Sequence, residues 1–203
     1  ATLSTGTSNL KVRVVDTYAN SGPEYTQSYT LDTVRPTVSS NMSFTDNVLA
    51  IGDTAIMSLS FSEAVSGLTI SDFIVPNGVL SNLITSDGGV TWTATLTPNA
   101  SVNDATNTIT LNNTGYRDTA GNTGTGSTSS LNYAIDTFRP TATITLSDNY
   151  LGIVDTTLMT FTFNEPVTGF TNDDLTLPVT TPMGTLSPVS SNNGGLTWTA
   201  TYT

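Results

Sequence analysis

A five-residue motif occurs twice in the chain, and its spacing restricts the possible folds more than any other feature. Asp-Thr-Val-Arg-Pro at 32–36 recurs as Asp-Thr-Phe-Arg-Pro at 136–140, so the two copies begin 104 residues apart. A ten-residue segment at 45–54 also returns, in altered form, at 147–156. Internal similarity at a fixed period is typical of a tandem array. The sequence therefore predicts similar modules that follow one another along the chain.

Apolar and polar residues alternate with period two over much of the sequence, and extended helical spacing is lacking. The clearest example is Val-Thr-Trp-Thr-Ala-Thr-Leu at 90–96, which is repeated at 196–202. The apolar residues of 57–61 alternate with serines in the same way. Such alternation indicates strands with one buried face and one wet face. We therefore expect an all-β protein.

The repeat also suggests where the modules begin and end. Its period is close to the roughly 100 residues of an immunoglobulin-like sandwich of about seven strands. We predict tandem immunoglobulin-like β-sandwich modules joined end to end, with a complete module at 32–135. Residues 1–31 match the last strands of a preceding module, and 136–203 match a module without its last two strands.

The two incomplete ends leave two interpretations open. In the first, the sequence is a portion of a longer chain. In the second, residues 1–31 of one chain complete the open sandwich of a neighbouring chain.

Composition excludes several classes of function. The chain has 16 acidic and 5 basic residues, a net charge of −11, and neither Cys nor His. This negative charge disfavours binding to nucleic acids and anionic lipids and favours binding of cations. The absence of Cys and His excludes disulfides, the usual zinc sites and catalysis by a thiol or an imidazole. No apolar run is long enough for a membrane span, so we expect no membrane insertion in this segment.

The acidic residues do not suggest an enzyme either. A glycosidase needs a carboxyl group of raised pKa in a substrate cleft. Here the acids are duplicated in both modules and are expected at module junctions. We therefore predict no catalytic residues and no enzymatic activity.

Repeated acids point instead to metal binding. In a sandwich that starts at Asp32, two later loops return to the end where the chain enters, and these loops carry Glu63, Asp72, Asp118 and Asn122. Carboxylate and amide oxygens are the ligands that Ca²⁺ prefers. The predicted calcium ligands are this set, its counterparts at the second linker and the matching loop of the first segment: Asp32, Glu63, Asp72, Asp118, Asn122, Asp136, Glu165, Asp174, Asp16 and Asn20.

Simpler roles remain open for some residues. Asp32 is spaced to pair with Arg35, in a surface ion pair that contributes little to stability. Asp46 and Asp53 are ordinary turn-forming residues. Trp92 occupies an inward-facing strand position and is expected in the core, not on a sugar-binding surface.

Several motifs in a fixed order carry a family resemblance. They are Asp-Thr-x-Arg-Pro-Thr, Ser-Asp-Asn-x-Leu, Phe-Ser-Glu-Ala-Val-Ser-Gly at 61–67, Gly-Gly-Val-Thr-Trp-Thr-Ala-Thr-Leu at 88–96 and Asp-Thr-Ala-Gly-Asn at 118–122. Together they resemble the bacterial immunoglobulin-like repeats of giant repetitive, RTX-type surface adhesins. The resemblance implies type I secretion, an extracellular location on a Gram-negative cell surface, a part in cell adhesion and biofilms, and calcium at the junctions between neighbouring modules of one chain.

The sequence thus favours a structural extender, or stalk, that projects ligand-binding domains from the cell. Two alternatives stay open: a module that binds a glycan or protein directly, and a subunit of an extracellular filament. Tyr116, Arg117 and Tyr150 are the residues that a directly binding module would use.

Overall fold

A computed structural model describes residues 5–177 and 184–203. In these residues the chain forms strands and two short 3-10 helices, which confirms the all-β prediction. It divides into two compact units, residues 1–138 and 139–203. Among the described residues, no helix has the length and apolar character needed to cross a membrane.

The first unit contains all strands up to the second Asp-Thr-x-Arg-Pro motif. These strands are β1 (Gly6–Val15), β2 (Ser21–Leu31), β3 (Ser43–Phe44), β4 (Val48–Leu49), β5 (Ala55–Ser60), β6 (Phe73–Ile74), β7 (Gly78–Thr85), β8 (Thr91–Pro98), β9 (Asn103–Asn107), β10 (Thr110–Asn112), β11 (Ser127–Ser129) and β12 (Tyr133–Asp136). A 3-10 helix, Ile70–Asp72, lies between β5 and β6.

Strands β1 and β2 form an antiparallel hairpin, with Gly6 opposite Leu31 and a register shift between Arg13 and Val15. Nearly every side chain of this hairpin is exposed. The strands are joined by a turn at 16–20, where the backbone N–H groups of Tyr18 and Asn20 donate to the Asp16 carboxylate. The hairpin is therefore formed by local pairing and contributes no residue to the buried core.

Residues 32–135, the middle module, form a β-sandwich. One sheet has the strand order β3-β5-β8-β7, and the remaining strands form two three-stranded groups, β11-β10-β6 and β4-β12-β9. Apolar residues from these sheets share one core: Met42, Leu49, Ala55, Met57, Leu59, Phe61, Val65, Leu68, Phe73, Leu80, Ala94, Leu96, Ile109, Leu111, Tyr116, Tyr133 and Ile135. Trp92 packs against this core, as expected, and its indole N–H donates to the Gly89 carbonyl at 3.1 Å.

The end of the middle module differs in one respect from the sequence prediction. The alternating residues from Leu131 to Ile135 predict one strand with three inward positions, but Leu131 is 55% exposed. Strand β11 pairs with β10, and the chain then crosses to pair β12 with β9 and, in parallel, with β4. Leu131 lies in the crossing segment, so its side chain is not part of the alternation.

The second unit contains the strands β13 (Ala142–Leu146), β14 (Thr157–Phe163) and β15 (Thr197–Tyr202), which form a sheet in that order. Leu146 lies opposite Met159, and Met159 lies opposite Ala200. A second 3-10 helix spans Asn172–Asp174. Phe170 packs edge-on against Phe161 and Trp198, with ring centroids 5.2 and 5.6 Å apart.

Candidate metal centre

Three separate segments of the first unit meet beside the start of the middle module. They are the linker after β2, the segment that follows β5, and the loop between β10 and β11. The Ser62 N–H donates to the Thr37 carbonyl at 2.8 Å, and Ser66 and Arg117 exchange backbone hydrogen bonds of 2.8 and 3.1 Å. These bonds hold the segment after β5 between the linker and the loop.

Each segment contributes one carboxylate to a shared cluster. Asp32, Glu63 and Asp118 each place a carboxylate oxygen within 4.8 Å of the others. Asp118 is buried, and the other two are partly buried. Within residues 5–177 and 184–203, no other three acids come together in this way.

A local turn fixes Asp118. Its Oδ1 atom accepts the backbone N–H of Asn122, and its Oδ2 atom accepts the Asn122 side-chain N–H, both at 2.8 Å. Gly121 has a φ of +95°, which glycine adopts at little cost. The Asp-Thr-x-x-Asn pattern therefore builds a turn that aims a carboxylate at the linker.

The electrostatics of the cluster agree with its geometry. The pKa of Glu63 is raised above its ordinary value of 4.5 by desolvation and by the negative charges of Asp118 and Asp32. For Asp118, desolvation acts to raise the pKa, but hydrogen bonds from Asn122, Gly121 and Ala120 outweigh it and lower the pKa. The repulsion among the three carboxylates therefore raises the pKa of Glu63, because the hydrogen bonds of its turn keep Asp118 ionised.

These shifts predict a pH dependence for the metal-free protein. The raised pKa of Glu63 gives a contribution to folding stability that is complete below pH 4.5 and is lost as the pH rises through the raised value. The lowered pKa of Asp118 gives a contribution that is present above pH 3.8 and is lost on acidification. In chelator, the variant Glu63→Gln should therefore gain stability relative to the wild type as the pH rises from about 4 to about 7. Urea unfolding of both proteins across this range checks the prediction, and a constant difference between them would contradict it.

Two further contacts tie the linker to the loop. The Asn122 side-chain N–H donates to the Asp32 carbonyl at 3.1 Å, and Arg35 Nη1 donates to the Thr123 carbonyl at 2.7 Å. The side-chain amide nitrogen of Asn122 therefore faces the cluster. The sequence prediction of Asn122 as a calcium ligand requires its side-chain oxygen to face the ion instead. The pairing of Asp32 with Arg35 is not formed, because Arg35 reaches the loop and Asp32 Oδ1 accepts the Val34 N–H.

Asp72, a predicted ligand, is not part of the cluster. Its Oδ2 atom accepts the Thr69 backbone N–H at 2.7 Å and the Thr69 hydroxyl at 2.9 Å, which caps the 3-10 helix. Asp174 accepts the same two bonds from Thr171 in the second unit. A Thr-x-x-Asp pattern at the start of a helical turn resembles a capping box. Helix capping therefore gives the acid that recurs at this position in both units a role that needs no metal.

The other predicted ligands are not members of this group of three acids. Asp16 and Asn20 form the same turn as Asp118 and Asn122, with Asn20 Nδ2 donating to Asp16 Oδ2 at 2.8 Å. Asp136 ends β12 in the first unit, and Glu165 belongs to the second unit. Glu165 Oε1 is buried and has no hydrogen-bond partner among the described residues.

Acids at the opposite end of the middle module have turn roles. Asp46 Oδ1 accepts the Val48 N–H and Asp53 Oδ2 accepts the Ala50 N–H, both at 2.9 Å. These contacts agree with the turn interpretation of both residues. Tyr116 is buried against Phe61 with ring centroids 4.6 Å apart, so it is not available to a surface ligand.

The sandwich and the tandem repeat define the class of protein, a series of β-sandwich modules on one chain. The family model of the bacterial Ig-like domain matches residues 32–135 and 136–203, and the chain belongs to this family. Its domains are typically non-enzymatic, surface-exposed structural or binding modules. No curated protein and no solved structure is significantly similar to the chain.

The chemistry of the cluster fits a hard divalent cation. All three side chains offer carboxylate oxygens, and nitrogen and sulfur ligands of the zinc type are missing from the sequence. Ca²⁺ binds six to eight oxygens in flexible geometry, whereas Mg²⁺ requires a nearly ideal octahedron. Asp32, Glu63 and Asp118 would hold Ca²⁺ at this point.

Proposed function

We propose that the chain is an extender segment of a bacterial surface adhesin, and that calcium bound by Asp32, Glu63 and Asp118 fixes the linker to the module that follows it. The observation that carries the proposal is the meeting of these three carboxylates, one from the linker and two from the module. Cell adhesion, type I secretion and an extracellular location are parts of the same proposal.

The position of the cluster supports a role in fixing the linker. Asp32 immediately follows β2, and Glu63 and Asp118 belong to the middle module. Neutralising three close negative charges favours the arrangement that brings them together. When the site is charged and free of metal, the same three groups repel one another and favour a detached linker.

Hydrogen bonds in the linker give this mechanism a starting geometry. Arg35 and Asn122 attach the linker to the loop without using a carboxylate of the linker. These contacts place the side chain of Asp32 beside Glu63. Bound calcium would supply the positive charge that neutralises the three negative carboxylates.

The buried oxygen of Glu165 supports an equivalent role at the second linker. Glu165 occupies the repeat position of Glu63, and its Oε1 atom lacks a partner among the described residues. A buried carboxylate oxygen without a partner is costly, and a cation would satisfy it. We propose Glu165 as a ligand there, and Asp136 stays a ligand predicted from the sequence repeat. Asp174 is satisfied by its helix cap, as Asp72 is.

The expected energy at each site is modest. Extracellular calcium modules bind with dissociation constants of about 10⁻⁴ to 10⁻³ M. Free calcium at ten times that constant stabilises the bound form by about 1.4 kcal/mol. A stalk gains rigidity from such a site because it recurs at every linker.

Chelation of calcium should lower the melting temperature of the full chain and enlarge its radius of gyration in solution scattering. The physical reason is that three unneutralised carboxylates release the linker. The variant Glu63→Gln should show a smaller change in both quantities than the wild type, because it removes a ligand of the first site and leaves Glu165 at the second linker. The matched control Asp46→Asn also removes one acid, but from a turn outside the cluster, and should respond like the wild type. If chelator changes neither quantity in the wild type, the proposed function is wrong.

A further inference from the structure

The chain contains two Asn-Gly dipeptides, Asn77-Gly78 in the middle module and Asn193-Gly194 in the second unit. An asparagine side chain loses its amide most readily before glycine, because glycine leaves room for the backbone nitrogen to attack the side-chain carbonyl carbon. The attack forms a cyclic succinimide, which water opens to aspartate or isoaspartate. Since the dipeptide is the same at both sites, a difference in reactivity must come from the structure around it.

Asn193 lies in an exposed turn before β15, and the contacts of its side chain favour this reaction. Its Oδ1 atom accepts the Ser191 hydroxyl at 3.1 Å and the Thr197 backbone N–H at 2.9 Å. Negative charge develops on this oxygen during the attack, and hydrogen-bond donors directed at it stabilise the transition state. Neither the leaving nitrogen Nδ2 nor the attacking nitrogen of Gly194 is hydrogen-bonded to a described residue.

Asn77 has contacts that oppose the same reaction. Its Nδ2 atom donates to Asp104 Oδ2 at 3.0 Å and to Asn107 Oδ1 at 2.8 Å, so the nitrogen that would leave is held in place. Gly78 is buried at the start of β7, where it lies opposite Pro98. Movement of its nitrogen toward the Asn77 side chain would disturb the pairing of β7 with β8. The structure therefore protects this Asn-Gly dipeptide.

The middle module shows that such a turn accommodates an aspartate. Asp87 occupies the position of Asn193 in the repeat and is likewise followed by two glycines. Its Oδ1 atom accepts the Thr85 hydroxyl at 3.0 Å and the Thr91 backbone N–H at 2.8 Å, which are the two kinds of hydrogen bond that Asn193 accepts. Asp87 is also exposed, so exposure at this position is a property of the turn. An aspartate formed at position 193 can keep the same hydrogen bonds.

We propose that Asn193 is a site of spontaneous deamidation in the folded chain and that Asn77 is not. The Gly194 nitrogen forms a bond to Asn193 Cγ, the Cγ–Nδ2 bond breaks, and the proton of the Gly194 nitrogen leaves with the released ammonia. Water then adds to one carbonyl of the succinimide and opens the ring. The reaction gives the second unit the carboxylate that the middle module has at Asp87. No residue of the acidic cluster takes part, so this proposal succeeds or fails independently of the proposed calcium site.

Storage of the full chain in mildly alkaline buffer, followed by peptide mapping with mass spectrometry, tests the proposal. Aspartate and isoaspartate should accumulate about tenfold faster at Asn193 than at Asn77, because two hydrogen bonds of the Asn77 amide must break first. In urea, where both turns are unfolded, the two rates should become similar. Equal rates in the folded chain, or a tenfold difference that persists in urea, would overturn the proposal.

A substitution at Ser191 tests the role of the turn without changing the Asn-Gly dipeptide. Ser191→Ala removes one donor to Asn193 Oδ1, so it should slow deamidation in the folded chain and leave the rate in urea unchanged. The matched control Ser191→Thr keeps a hydroxyl, as Thr85 does beside Asp87, and should react like the wild type. A rate in folded Ser191→Ala that equals or exceeds that of the wild type would contradict the assigned role of the turn.

Discussion

Replacing Tyr133 by alanine should lower the unfolding free energy of the middle module by about 3–5 kcal/mol. The ring is fully buried against Phe44, and the hydroxyl donates to the Pro76 carbonyl at 2.8 Å. The substitution leaves a cavity between β12 and β3 and removes that hydrogen bond. Native-state hydrogen exchange of the β5 and β8 amides measures the loss within the middle module. Tyr133→Phe, which removes only the hydroxyl, should cost about 1 kcal/mol.

The matched control is Tyr29→Ala. Tyr29 has the same position relative to Asp32 as Tyr133 has to Asp136, but its side chain is exposed. Its replacement should change the stability of the monomeric middle module by less than about 0.5 kcal/mol. Similar losses for the two variants would show that the hairpin packs into the core, contrary to the structure.

Asp118→Ala should abolish calcium binding at the cluster and release the loop in the same protein. The substitution removes a ligand, and it also removes the acceptor for the Asn122 backbone and side-chain N–H groups. The Thr123 carbonyl, which accepts the bond from Arg35, is in the same loop and should lose its fixed position. We expect faster amide exchange at Asn122 and a lower melting temperature, with and without calcium.

Asp16→Ala separates the two effects of this substitution. Asp16 accepts the same turn hydrogen bonds from Asn20, but it belongs to no group of three acids in the described part of the chain. Its replacement should loosen the turn between β1 and β2 and leave the calcium response of the middle module intact. Loss of that response would mean that Asp16 also contributes to metal binding.

The sequence predicted the features that rest on periodicity and repetition. Alternation identified β5 and β8, and the core positions Met57, Leu59 and Ala94 are buried as expected. Loop order in a sandwich also placed Asp32 close to Glu63 and Asp118, which lie far apart in the sequence. Both inferences succeed because strand patterns and sandwich topology restrict where loops return.

Other features depend on competition between local and tertiary contacts. Asp72 is engaged by Thr69, three residues before it, and it is not one of the three clustered carboxylates. Arg35 binds a carbonyl 88 residues later in the sequence, for which no local pattern exists. Leu131 continues an apolar alternation but lies where the chain changes sheets. In each case, the residue type is compatible with more than one partner, and tertiary structure selects between them.

We propose that Asp32, Glu63 and Asp118 bind calcium together. A calcium titration of the full chain, followed by the NMR signals of the Val34 backbone amide and the Asn122 side-chain amide, tests it most directly. These amides contact Asp32 and Asp118. Both signals should shift and saturate with a dissociation constant of about 10⁻⁴ to 10⁻³ M in the wild type and stay unchanged in Glu63→Gln. Signals that do not move in the wild type, or that move equally in the variant, would contradict the claim.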